Sequence, residues 1–449
     1  MKHLFSRLSP AQKIILSFLL VIFCGSLLLS LPWVQTASSQ AGYLDHLFTA
    51  VSMVCVTGLF TRSVVDTYNV WGQLLCMLLI QIGGLGILTF IGFFTMESRK
   101  KLSLKDRRIL RDSFSYGNNR TLGQFVRSIF ITTFSIEGLG ALLLMIRFIP
   151  KFGLRKGIFN SIFLAVSAFC NAGFDNFGND SLLGLQTDVL VNITLALLII
   201  TGGLGFMVWF DLATKLGGKQ KGLHFHTKVV LLLTAGLLVF GTVTSLWTEY
   251  NNPGTIGNLS FGDKLLVSFF QTVSMRTAGF ASIDYTAARP VTLFIYLLQM
   301  FLGGAPGGTA GGLKITTFLV LLLFARKEIL GLPHTNMGRR TLSPQLVQKA
   351  FGVTVIFQLT FLLGLLALGL VTDSSHRFIY LIFETVSALA TVGVTANITT
   401  SLNTAGMIVI MLLMFIGRVG PLTLMVSLNH YQPKKAATLH YSKADIMIG

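Results

Sequence analysis

The stretch SALATVGVT, residues 387–395, decides how this chain is read. Its Thr-Val-Gly core suits a filter that holds ions with backbone carbonyls, and such a filter needs a ring of about four loops around one axis. Thr-Val-Gly occurs in a pore-like setting only here. The other three walls must come from somewhere else.

They are in the same chain. Anchored on Gly393, a search for short apolar segments ending in Gly plus a bulky residue returns FTAVSMVCVTGL (48–59), FLAVSAFCNAGF (163–174) and FFQTVSMRTAGF (269–280), beside FETVSALATVGV (383–394). Each has Phe ten residues before its Gly: Phe48, Phe163, Phe269 and Phe383. Ser stands six before it at Ser52, Ser167 and Ser387, whereas the third copy has Val273 there and Ser274 one place on. The anchors Gly58, Gly173, Gly279 and Gly393 are 115, 106 and 114 residues apart, a long apolar run preceding and following each. Internal repetition at one period is the signature of a repeated structural unit. Chance supplies one such match in so apolar a chain, and four in register poorly. A helix-capping Gly at the end of a buried hairpin accounts for one copy but not for four.

The surrounding composition fits a membrane. The chain has 449 residues, 52% hydrophobic and 12% charged, with a mean hydropathy of +0.71, too little charge to cover a soluble surface. Apolar runs of about spanning length, roughly 20 residues, lie at 14–32, 71–96, 186–213, 229–247, 291–324, 350–371 and 404–428, with another at 128–149 interrupted by Glu137. No cleavable leader is evident, since the first run is of spanning length and lacks an A-x-A site. The fold class expected is an all-α polytopic membrane protein. It would consist of four fused helix–pore loop–helix repeats, eight spanning helices and four re-entrant pore helices, with pseudo-four-fold symmetry around one pore. The repeats divide the chain at 1–98, 99–216, 217–330 and 331–449, the last including a cytoplasmic tail.

A net charge of +18 raises the question of nucleic acid, but its distribution answers it. Segments 1–13, 97–127, 214–228, 325–349 and 430–449 hold 24 of the 35 lysines and arginines. Alternate hydrophilic segments rich in cations follow the positive-inside rule and place both termini in the cytoplasm. One outer segment dissents: RFIPKFGLRKG, 147–157, carries four cations. Cys24, Cys55, Cys76 and Cys170 lie in apolar or pore-like stretches without metal spacing and read as small core residues.

Glycine at the anchor has a physical reason. Non-helical backbone at membrane depth is tolerated only against water or buried in protein, and turning successive carbonyls inward needs angles that Gly reaches without steric cost. Each half-helix would enter from outside and point its negative C-terminal end at the membrane centre, which favours a cation.

The four segments VTGLF (56–60), NAGFD (171–175), TAGFA (277–281) and TVGVT (391–395), the glycine-rich third-repeat helix and Arg418 together resemble the Trk/Ktr/HKT superfamily of potassium transporters, over essentially the whole chain. Size and the short tail ending KADIMIG look most like the membrane subunit of a Ktr system. The resemblance implies a backbone filter for potassium at Val56, Thr57, Gly58, Asn171, Ala172, Gly173, Thr277, Ala278, Gly279, Thr391, Val392 and Gly393. One plant subgroup carries Ser for the first filter Gly and prefers sodium; here Gly58 is retained. The resemblance further implies a homodimer with one pore per protomer and a cytoplasmic ring of nucleotide-binding RCK subunits. No cofactor is expected on this chain, and potassium is its cargo.

Beyond each filter segment lies a Gly cluster: QIGGLG (81–86), TGGLG (201–205), LGGAPGGTAGGLK (302–314) and IGRVGP (416–421). The first two read most simply as close helix packing. The third cannot sustain a helix, because each Gly costs about 1 kcal/mol and Pro about 3. Residues 303–312, with Gly303, Gly304, Gly307, Gly308, Gly311, Gly312 and Pro306, therefore read as an intramembrane gate loop beneath the filter. A P-loop is excluded, since Gly308 runs directly into Thr309 with no Lys. Arg418, inside an exit helix, should face the cavity or a partner, as an electrostatic barrier below the filter, with or without a hold on the gate loop, or as a packing ion pair or carbonyl contact. Lys314 reads as snorkelling to the cytoplasm. Arg276 and Glu384 read as buried ion-pair members or loop anchors, and Glu137 lacks the chain of acids and His that a proton relay uses. Asp66, Asp175, Asp180 and Asp284 follow the filters and either gather cations at the mouth or serve as ordinary surface groups. A membrane-embedded enzyme would need convergent acids or His, and the sequence offers only Glu137, Asp211 and Glu384, far apart along the chain. The function expected is potassium uptake by selective conduction under control of a regulatory subunit; the alternative is a sodium-coupled or sodium-permeable transporter on the same fold.

Overall fold

The computed structural model describes residues 10–86, 122–178, 181–218, 220, 222–372 and 377–420. Lys2, Arg7, most of the basic segment 97–127, Asp180 and the basic tail lie outside the described residues.

The described chain is helical apart from a two-strand hairpin, Asn336–Met337 against Arg340–Thr341. Four long helices, α1 (Pro10–Leu29), α4 (Leu122–Phe152), α8 (Phe225–Glu249) and α12 (Pro344–Val371), are apolar and long enough to cross a membrane. Their outer faces keep large apolar side chains exposed, such as Phe23, Leu139, Leu232 and Leu363, which suits lipid rather than water. Each is followed by a shorter helix: α2 (Tyr43–Cys55), α5 (Leu154–Phe169), α9 (Phe261–Ser274) and α13 (Phe378–Leu389). After each short helix comes a loop, and then α3 (Val70–Leu85), α6 (Val189–Gly203), α10 (Pro290–Phe301) or α14 (Thr404–Val419). Three of these last helices start on a side-chain cap: Asn69, Asp188 and Asn403 each accept a first-turn N–H, satisfying donors the helix leaves orphaned.

Packing closes the elements into a ring. Each long helix lies on the short helix that follows it, α1 on α2, α4 on α5, α8 on α9 and α12 on α13. Between units, α3 packs on α5, α6 on α9, α10 on α13, and α14 returns to α2. Aromatic side chains pack behind the loops: Phe48, Phe163, Phe270 and Phe383, one from each short helix, are fully buried, and between helices in lipid their gain is close packing rather than removal from water.

Two details differ from the sequence reading. In the third copy the fully buried Phe is Phe270, not Phe269, so both Phe and Ser sit one place nearer the Gly there. The irregular Ser274 and the Phe thus share one cause, a segment shorter by a residue. Secondly, eight unbroken spanning helices are not what the described residues contain. The four long helices run through, whereas α6 turns by 97° at Gly205 (φ +89°) into α7 (Phe206–Leu216); α3 and α14 reach Gly86 (φ +83°) and Gly420 (φ +90°), where the described residues end. Between α10 and α11 (Ile315–Ile329), residues 302–314 form no helix. The outer segment 147–157 is a near-continuous helical corner around Gly153, and its Arg147 pairs with Asp188 at 2.5 Å.

Candidate functional site

The four glycine loops share one backbone pattern. The residue two before each Gly is left-handed, at Val56 (φ 56°), Asn171 (φ 58°), Thr277 (φ 66°) and Thr391 (φ 52°), and each Gly also has positive φ, from 70° to 103°. Non-Gly residues there are uncommon, Val and Thr especially so, and such strain persists only where the surroundings enforce it. The loops meet: a Cβ added to Gly58 would lie 2.8 Å from the Ala172 carbonyl, one on Gly173 2.8 Å from the Ala278 carbonyl, and one on Gly279 2.6 Å from the Val392 carbonyl. One on Gly393 would run into the Thr57 carbonyl and close the circle. All twelve residues expected to form the ring are buried within it.

Serine holds the loops from behind. Ser52 Oγ accepts the Gly58 N–H at 3.1 Å and Ser387 Oγ accepts the Gly393 N–H at 3.0 Å. Ser167 Oγ accepts the Phe174 N–H at 2.9 Å, while Ser274, displaced by one residue, donates instead to the Phe280 carbonyl at 2.5 Å. The recurrence was visible in sequence; its task of occupying loop backbone groups was not. Glu384 accepts from the Thr395 hydroxyl at 2.6 Å and from Thr399, tying the fourth loop to its helix. That is the loop-anchor role. Arg276 has no carboxylate partner among the described residues; its guanidinium reaches Thr234 at 3.4 Å and its carbonyl accepts from Asn171 Nδ2 at 3.4 Å. Glu137 accepts from Gln81 Nε2 at 3.0 Å, with Cys170 Sγ 3.9 Å away.

Residues 303–312 lie against this ring. Their base is clasped by Gly303 N–H to Leu313 O (2.9 Å) and Leu313 N–H to Phe301 O (3.1 Å). Above the clasp, Thr309 Oγ1 is 3.0 Å from Asn171 Oδ1, and the Gly311 N–H donates to Thr277 Oγ1 at 3.1 Å. A Cβ on Gly311 would strike the Thr391 hydroxyl. Three of the four ring segments therefore touch this loop. From the side, Ala305 and Thr309 N–H groups donate to the carbonyls of Gly203 (3.0 Å) and Gly202 (3.2 Å), and Phe206 N–H donates to Gly307 O (3.0 Å). The cluster 201–205 thus seats the loop besides packing helices, which corrects its simplest reading. Its bend at Gly205 frees the first N–H of α7 for that contact, and a Cβ there would lie 2.7 Å from Pro306 O.

Two cations grip the same loop. Arg418 donates to Thr309 O at 2.5 Å, to Gly83 O, and to Gly84 O at 3.3 Å. Lys314 Nζ donates to Ala310 O at 2.7 Å rather than snorkelling away, because the loop's non-helical carbonyls need donors that lipid cannot supply. At the other end of the ring, Asp66 and Asp284 are exposed. Asp175 is buried beside Gly173 and accepts from Phe177 N–H (2.9 Å) and Ser181 Oγ (2.8 Å). Burial pushes its carboxyl up to about 6, against those two donors.

Membrane-length helices wrapped around four converging glycine loops define a polytopic membrane protein. The chain belongs to the TrkH family of cation transport proteins, whose model matches residues 7–438. It is 39% identical over 449 residues to Ktr system potassium uptake protein B of Bacillus subtilis, covering 99% of this chain and 97% of that one. It is also 39% identical over 453 residues to the potassium/sodium uptake protein NtpJ of Enterococcus hirae, covering 100% and 99%. In structure it is similar to the potassium transporter TrkH of Vibrio parahaemolyticus, with a TM-score of 0.74 at 17% identity over 93% of this chain and 84% of that one.

Proposed function

We propose that this protein takes up potassium by conduction through one central pore. Four fused helix–loop–helix units, divided as 1–98, 99–216, 217–330 and 331–449, surround that pore with pseudo-four-fold symmetry. The filter is Val56-Thr57-Gly58, Asn171-Ala172-Gly173, Thr277-Ala278-Gly279 and Thr391-Val392-Gly393. The observation that carries this reading is the mutual approach of Gly58, Gly173, Gly279 and Gly393, each against a carbonyl of the next loop. Carbonyl rings replace an ion's hydration shell. Serines held on the loop N–H groups leave the carbonyls to the axis.

Residues 303–312 are the gate, held shut by Arg418 and Lys314 in the state described here. A cytoplasmic nucleotide-binding ring of the RCK type shifts the loop between closed and withdrawn arrangements. The naming of the Bacillus relative as part of a Ktr system supports separate subunits. The protein works as a homodimer in the cell membrane, with both termini cytoplasmic. Selectivity has a second reading, sodium permeation or coupling, favoured by the potassium/sodium naming of the Enterococcus relative.

The test is ion flux into proteoliposomes containing the purified chain, with potassium or sodium as the sole permeant cation. Potassium flux well above sodium flux is expected. Equal fluxes would favour the second reading, and no flux of either cation, with or without the 307–311 segment, would remove the channel.

A further inference from the structure

We propose that Thr309 is a latch through which the loop 303–312 and the glycine ring move together, so that the gate and the ion-binding loops share one equilibrium instead of acting in series. The proposal rests on the gate reading above.

The argument starts from the side chain of Asn171. This residue sits left-handed at the head of the second glycine loop, and its amide is used at both ends: Oδ1 faces the Thr309 hydroxyl at 3.0 Å, a hydroxyl that also reaches the Phe169 carbonyl of the same unit at 3.1 Å, and Nδ2 donates to the Arg276 carbonyl at 3.4 Å. Arg276 immediately precedes Thr277, whose hydroxyl accepts the Gly311 N–H at 3.1 Å. The contacts form a circuit from loop to second ring segment, to third ring segment, and back to the loop. Thr309 and Asn171 are buried, so with the loop seated neither meets bulk water, and breaking their contact loses a preformed buried hydrogen bond at a net cost of about 1 kcal/mol.

Withdrawal of the loop therefore strips Asn171 Oδ1 and Thr277 Oγ1 of their partners at once. The ring must readjust or the loop must return. The coupling is reciprocal: an ion that holds the ring in its present geometry favours the seated loop, and a seated loop favours that ring geometry. Thr391 marks the same junction, since its hydroxyl has no hydrogen-bond partner among the described residues and abuts Gly311.

Thr309 takes no part in the carbonyl ring, so its effect on ion binding reads the coupling alone. Wild type, Thr309→Val and Thr309→Ser are purified, and thermal unfolding is followed against potassium chloride with choline chloride as balance. In parallel, partner-free potassium flux is measured in proteoliposomes. The expected result is that Thr309→Val raises the potassium concentration for half-maximal stabilisation by about threefold or more, in keeping with one lost buried hydrogen bond, and also raises flux. Thr309→Ser, which keeps the hydroxyl, should match wild type in both. Thr309→Ala serves in place of the valine variant if that one does not fold. Raised flux with an unchanged potassium midpoint would overturn the latch and leave the gate standing. Unchanged flux on deleting Gly307–Gly311 would overturn the gate, and the latch with it.

Discussion

The ring and the loop beneath it are both built from glycine and backbone carbonyls, yet they are held in opposite ways. Each ring segment is fixed by its own neighbourhood: Ser52 to Gly58, Ser167 to Phe174 and Ser387 to Gly393 span six or seven residues. Residues 303–312 are fixed largely from afar, by Asn171, Thr277, Gly202, Gly203 and Arg418, the last 109 residues from the carbonyl it binds. A locally held element resists movement of its surroundings except where a long-range contact, such as those of Asn171 and Thr277 with the loop, couples the two. An element held at long range is released when any one distant part shifts. That difference suits the first to selection and the second to gating.

The comparison breaks first at the loop. Removing Gly307–Gly311 leaves the clasp of Gly303 and Leu313 but deletes Thr309 and its contacts. With several net hydrogen bonds lost, each worth about 1 kcal/mol, partner-free potassium flux should rise by about tenfold or more. Flux in liposomes at matched protein amount checks it, and equality of deletion and intact chain would return the segment to packing.

Gly58→Ser attacks the ring. At φ +103° with a carbonyl 2.8 Å from the new Cβ, the substitution forces backbone movement in the first and second loops together. Discrimination of potassium over sodium should fall by about tenfold, a change of about 1.4 kcal/mol, in competition flux assays. An unchanged ratio would take Gly58 out of the filter. Arg418→Ala comes next in size. It frees Thr309 O, Gly83 O and Gly84 O while leaving Ser-held ring geometry alone, so leak should rise and the potassium-to-sodium ratio should not. A folded variant with no transport would show that the arginine is needed to build the path.

What was legible in sequence follows the same division. Gly58, Gly173, Gly279 and Gly393 were found because a locally held element repeats its whole kit, Phe, Ser and Gly, within about a dozen residues. The one-residue slip to Phe270 and Ser274 needed burial to explain it. The non-helical character of residues 303–312 was recognisable by composition, but the anchors of this loop were not. Nothing within a window around Arg418 names Thr309 or Gly83, and nothing around Lys314 says that its ammonium turns back to Ala310. The bend at Gly205 looked like a packing glycine because a hinge and a close contact ask for the same residue.

Ser387→Ala sharpens the local half of the comparison. It leaves the buried Gly393 N–H without its partner, a cost of about 1–3 kcal/mol, and releases the fourth loop from its own helix at that glycine. Thermal stability should drop and potassium selectivity weaken, with gating by the loop intact. A variant less stable but equally selective would limit serine to structural support.

The smallest expected effect lies at Asp175, on the proposed outer side of the ring. Burial raises its carboxyl from an ordinary 3.8 to about 6, and the Phe177 N–H and Ser181 hydroxyl reduce that rise. A carboxyl raised in the folded state binds its proton more tightly there than in the unfolded chain, so folding stability falls as pH rises between about 4 and 6. Above that window the ionised group is a standing cost, and Asp175→Asn should be slightly more stable than wild type at pH 7.5 and level with it near pH 4. Retaining a costly charge beside Gly173 makes sense if it attracts cations to the pore mouth. Wild-type flux should then decline as pH falls through about 6, whereas the asparagine variant should start lower and stay flat through that range. The change is modest because Asp175 is one of several carboxylates that follow the loops, beside the exposed Asp66 and Asp284 after the first and third. Parallel pH profiles for the two proteins, measured in the same liposomes, would assign Asp175 to holding the second loop through Phe177 and Ser181, on the local side of the comparison with the serines.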